Sequence, residues 1–111
     1  MKQKDIEKIN SHFQKWRGSN ASFNSYADDH DRFTLALERA DHPGEFIGIS
    51  FLQCLFVMGV TRWSQCNLEC VALPLSDGSI GFEIRDADIG FLLRCGGPVV
   101  VGNSELIVPQ D

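Results

Sequence analysis

Phe46-Ile47-Gly48-Ile49-Ser50-Phe51-Leu52-Gln53-Cys54-Leu55-Phe56-Val57-Met58-Gly59-Val60 carries no charged side chain, and only Ser50 and Gln53 interrupt it with polar groups. Fifteen residues that include two glycines and a glutamine fall short of the roughly 18 apolar residues a membrane helix needs. Their β-branched and aromatic content suits strands instead. The run therefore reads as the central strand of a sheet, or as two strands joined at a kink. It is apolar on both faces, so both faces call for cover, one from a helix and the other from the curled sheet itself or from a second subunit.

Working outward, Arg32 to Arg39 alternates with Phe33, Leu35 and Leu37 on one face, the pattern of a half-buried strand. Asp41-His42-Pro43-Gly44 is a turn by composition and makes this strand and the central run two arms of a hairpin. Further upstream, Ile6, Ile9, Phe13 and Trp16 recur at helical spacing, which predicts a helix over 4–17 with Asp5 as N-cap and Gly18 as its stop. Between helix and strand, Ser19 to Asp31 is rich in turn formers and reads as the longest polar connection.

Downstream, Gly59 to Gln65 reads as a loop or a single helical turn. Strands are expected over Asn67 to Leu75, Ile80 to Arg85, Phe91 to Cys95, Val99 to Val101 and Leu106 to Val108. The turns between them fall at Ser76-Asp77-Gly78-Ser79, where Asp-Gly is a strong hairpin signal, at Asp86 to Gly90, at Gly96-Gly97-Pro98 and at Gly102-Asn103-Ser104, with Pro109 closing the last strand. No helix alternates with the strands, which excludes the parallel doubly wound class. The expected fold is α+β over a single domain, 1–111: an N-terminal helix (4–17) packed on a mostly antiparallel, curled sheet (32–108) of six or seven strands, a meander or a partly open barrel.

The chain of 111 residues has a formal net charge of −5. Four lysines and Arg17 in the first seventeen residues, against Asp5 and Glu7, give a local +3, so the remainder carries −8. An acidic body argues against nucleic acid, whose phosphates require a basic surface. The N-terminus has a basic start with no apolar segment behind it, so no signal peptide is read and the expected location is the cytoplasm. Cys54, Cys66, Cys70 and Cys95 lie in or beside apolar segments and are expected as reduced, buried thiols.

No catalytic, nucleotide or metal motif stands out. Cys66 and Cys70 are spaced more widely than zinc pairs usually are and lack two further ligands nearby; no cofactor is expected, and an enzyme is the less favoured class. The surface singled out for binding is Asp28, Asp29 and Asp31 around His30, an acidic segment suited to steering a basic protein partner. Trp63 is its companion, an interface anchor if exposed and core if buried at the sheet edge. In size, charge and fold class the chain is loosely similar to small cytoplasmic immunity proteins, a resemblance that implies an acidic face that neutralises a basic toxin. The expected function is a non-enzymatic protein-interaction module, immunity-type or adaptor, with self-association as a related option. The alternative is a curled sheet whose phenylalanines enclose an apolar small molecule.

Overall fold

The computed structural model describes residues 3–102 and 105–108, with nothing said of the side chains of residues 3 and 105. Helix α1 spans Gln3–Lys15 and turns its apolar stripe inward, with Ile6, Ile9 and Phe13 buried. It ends at Lys15, two residues before the expected end at 17, and a turn leads to Gly18, whose φ of +86° few other residues adopt comfortably. Asp5 is not an N-cap. The helix already runs at Gln3, which places Asp5 in the first turn, where the helix dipole favours a carboxylate. The side chain is buried, and its Oδ2 has no hydrogen-bond partner among the described residues.

Ten strands follow: β1 (Asn20–Ala27), β2 (Arg32–Glu38), β3 (Phe46–Phe51), β4 (Cys54–Met58), β5 (Arg62–Trp63), β6 (Glu69–Pro74), β7 (Ile80–Asp86), β8 (Phe91–Cys95), β9 (Val99–Val101) and β10 (Glu105–Ile107). They form a six-stranded sheet in the order β10-β9-β3-β2-β1-β5 and a four-stranded sheet in the order β4-β8-β7-β6. Every strand pairing is antiparallel. The class is therefore the expected α+β, with one helix against two sheets that do not close into a barrel. The strand count exceeds six or seven because β1 and β5 lie in segments read as loops and the central run is split. The turn expected at Gly102-Asn103-Ser104 falls mostly outside the described residues, and Pro109 falls entirely outside them.

Ser19 to Asp31 is the clearest departure from expectation. Most of it is β1, paired with β2 from Asn20 opposite Glu38 to Ala27 opposite Arg32, with a bulge between Phe23 and Ser25. Its serines and asparagines face solvent while the apolar β2 supplies the ladder, so tertiary pairing overrides weak β-propensity. Besides Ser19, only Asp28 to Asp31 lies outside the strand, as a turn that ends in one tight 3-10 turn, Asp29–Asp31.

The β2–β3 hairpin sets the core. Phe33 faces Phe51, Leu35 faces Ile49 and Leu37 faces Ile47 across the ladder, and these side chains meet Phe82, Ile84, Leu93 and Cys95 from the second sheet. At Leu52-Gln53 the central run leaves the first sheet and enters the second. The same crossing is made in reverse by Gly96-Gly97-Pro98, and the two crossings are tied by Leu52 N to Pro98 O (3.0 Å), Gly97 N to Leu52 O (3.2 Å) and Gly96 N to Gln53 O (3.0 Å). Gly97 is needed there: a Cβ would lie 3.0 Å from Leu52 O.

The central run is not buried on both faces: in its first half one face is core, while on the other Phe46 is 68% exposed and Gly48 and Ser50 are half-buried. Ile49 and Phe51 are 1% and 0% exposed, whereas in β4 Leu55 is 60%, Phe56 45%, Val57 42% and Met58 53% exposed. The kink moves β4 out of the middle of the fold and makes it an edge strand, bonded to β8 on one side only.

Candidate functional site

Three aspartates sit on the tight turn between β1 and β2. His30 and Asp31 both adopt left-handed backbone, with φ of +60° and +47°. This conformation is sparsely used by residues other than glycine and is held here by its surroundings. Gln53 N donates to His30 O at 2.7 Å, which bolts the turn to the head of β4. The Tyr26 hydroxyl donates to Asp31 Oδ1 at 2.9 Å. That bond to a carboxylate, with the nearby negative charge, raises the phenol's pKa above its ordinary value. His30 Nε2 lies 3.4 Å from Asp29 Oδ1, with both side chains largely in water. Among the described residues no lysine or arginine pairs with Asp28, Asp29 or Asp31, so the turn keeps its negative field.

Trp63 is not brought to this turn. It lies opposite Ala21, at the other end of β1, and is buried, as the packed reading of the sequence had it. Its ring stacks 4.8 Å from Phe91, and its Nε1 donates to Asp86 Oδ2 at 2.9 Å. Asp86 is buried and also accepts from Asn67 N (2.8 Å) and Asp88 N (3.2 Å), a hub that fixes the end of β7 against β5.

The exposed strand β4 was not singled out from the sequence. On the outer face of its sheet, Phe56 lies opposite Arg94 and Met58 opposite Leu92. The Arg94 guanidinium rests 5.8 Å from the Phe56 ring centre. From Arg94 a charge ladder crosses the sheet: Arg94 to Glu83 (3.0 Å), Glu83 to Arg85 (3.4 Å) and Arg85 to Glu69 (3.3 Å). Beneath β4 an apolar groove of about 210 Å³ opens toward the first sheet, lined by Phe23, Phe33, Val57, Met58, Val60 and Phe91 among others.

The opposite edge of the same sheet is capped at Cys70. Asn10 of α1 donates Nδ2–H to Cys70 O at 3.0 Å and accepts from Cys70 N at 2.8 Å. One side-chain amide thus stands in for a neighbouring strand.

Burial pushes the thiols up: Cys70 strongly, Cys95 to about 12, and Cys54 and Cys66 in the same direction. Such thiols stay protonated near neutrality and are poor nucleophiles and ligands. Among the described residues no three His, Cys, Asp or Glu side chains converge as a metal site, and no helix is long and apolar enough to cross a membrane. Comparison with known proteins gives no match to any family, curated protein or solved structure.

Proposed function

We propose that this chain is a non-enzymatic protein-interaction module that receives a basic protein partner on the turn of Asp28, Asp29 and Asp31, in an adaptor or immunity-type role. The observation that carries this reading is the turn itself: three carboxylates without a lysine or arginine partner among the described residues, exposed together and held in fixed backbone by the bond to Gln53. A fixed cluster of like charge raises the encounter rate with an oppositely charged surface. Tyr26, half-exposed and oriented by Asp31, gives the patch an aromatic contact of the kind that anchors interfaces. Trp63 supports the same strand from within the core. The four free thiols suit a reducing compartment, and we place the protein in the cytoplasm.

The apolar-ligand alternative would use the groove under β4. Its volume of about 210 Å³ is below the roughly 300–1,000 Å³ of ordinary small-molecule sites, so the protein-binding reading is the better supported. It is tested on the partner captured by the wild-type chain, purified and titrated against the Asp28→Asn, Asp29→Asn, Asp31→Asn triple variant. Binding should weaken about tenfold at low salt, and its salt dependence should flatten. Equal affinity and an equal salt slope for the two proteins would overturn the reading.

A further inference from the structure

Apart from a bulge between Cys54 and Phe56, strand β4 presents an uncharged, proline-free row of side chains on an unpaired sheet edge, the arrangement that folded proteins otherwise avoid because it templates pairing with another chain. We propose that the strand it pairs with is β4 of a second copy of this chain, antiparallel about a twofold axis near Phe56, so that two four-stranded sheets join into one sheet of eight (twice the four of one copy). This goes beyond the partner reading above, which concerns the acidic turn.

Three observations favour a second copy as the occupant. First, the surface is self-complementary in chemistry: Leu55, Phe56, Val57 and Met58 meet the same four residues, with no charge to desolvate on either side. Second, the two ends of the strand differ in charge in a way that antiparallel pairing satisfies. The acidic turn is fastened beside Cys54 through Gln53, while Arg62 follows Met58 by four positions, exposed and without an ion pair among the described residues. A twofold axis sets the aspartates of each copy toward Arg62 of the other; a parallel arrangement would set acid against acid. Third, the exposed apolar surface continues from the strand into the groove beneath it. At the exposures of Leu55, Phe56, Val57, Met58, Val60 and Phe23, side chains of this size leave on the order of 500 Å² of apolar surface per copy. Edge-to-edge pairing covers only the β4 share of this surface, so the interface falls below about 1,000 Å² and suits a weak, transient dimer. A dimer with a dissociation constant in the micromolar range is the expected result.

Sedimentation velocity of the whole chain from about 1 to 300 µM, at a salt concentration near 150 mM that screens the repulsion between two acidic bodies, provides the test. The mass should climb from 12.4 kDa toward twice that value. The Leu55→Lys, Met58→Lys variant places charges where natural edges carry them and should weaken the dimer about 100-fold. Both side chains are more than half exposed, so its circular dichroism should match the wild type. Arg62→Glu, which leaves β4 itself intact, should weaken it about tenfold. A wild-type chain that keeps the mass of one copy throughout would overturn the proposal. So would a dimer indifferent to the two lysines, because association would then lie elsewhere.

Discussion

The two edges of the four-stranded sheet face the same physical problem and meet it differently. At β6 the backbone of Cys70 is satisfied by Asn10, α1 lies across the strand, and Glu69 and Pro74 mark its ends. At β4 the strand's own Cys54 thiol reaches Phe56 O (3.9 Å) and a bulge lies between Cys54 and Phe56, but among the described residues no helix covers the strand, no charge or proline stands in it, and four consecutive apolar residues are exposed. A chain that caps one edge with a single asparagine has the means to protect an edge. The open one is then best understood as a surface whose partner is another polypeptide.

The largest effect should come from removing the cap. Asn10→Ala leaves the N–H and C=O of buried Cys70 without partners, which should cost about 2–4 kcal/mol, read as a fall of roughly 4–8 °C in Tm per kcal/mol. The same measurement on the Leu55→Lys, Met58→Lys variant, made at low protein concentration, should move by no more than about 0.5 kcal/mol. If the cap proved neutral, or the lysines proved as damaging as its loss, the contrast between the edges would fail.

A second effect follows from the buried thiols of this sheet, Cys70 on the capped strand and Cys95 on β8 beside β4. Burial raises the pKa of Cys70, and that of Cys95 from 9.0 to about 12. The folded state therefore favours the neutral thiol. The stability this represents is fully present below about pH 9, where unfolded and folded chains are both protonated, and is lost as pH rises toward the folded pKa. Denaturant titrations should show stability falling above pH 9 by up to about 1.4 kcal/mol per pH unit for each such thiol. Cys95→Ala should flatten that slope, and an unchanged slope would mean that the thiol is not held neutral by burial.

Much of the fold was legible because period and burial agreed. Phe33, Leu35 and Leu37 alternate inward as read, the helix stripe docks, and the Asp-Gly turn joins β6 to β7. Strand β1 was hidden because its residues are turn formers and only the neighbouring β2 makes them a strand. The acidic turn was found by composition, but its rigidity was not, since the Gln53–His30 bond joins residues far apart in sequence. Local pattern could not show that the apolar run changes sheets at Gln53, after which Leu55 to Met58 face water rather than core. The missing charges and prolines in that half were the available signal, and on sequence alone they read equally well as burial. Asn10 was likewise invisible, one polar residue on a helix whose partner lies sixty positions away.

Amide hydrogen exchange at several protein concentrations compares the two edges in one experiment. The Cys70 amide, bonded to Asn10, should be protected at every concentration, whereas alternate amides between Cys54 and Met58 should exchange rapidly in dilute protein and slow as concentration rises. Exchange in β4 that is independent of concentration would contradict the claim that this edge is built to pair.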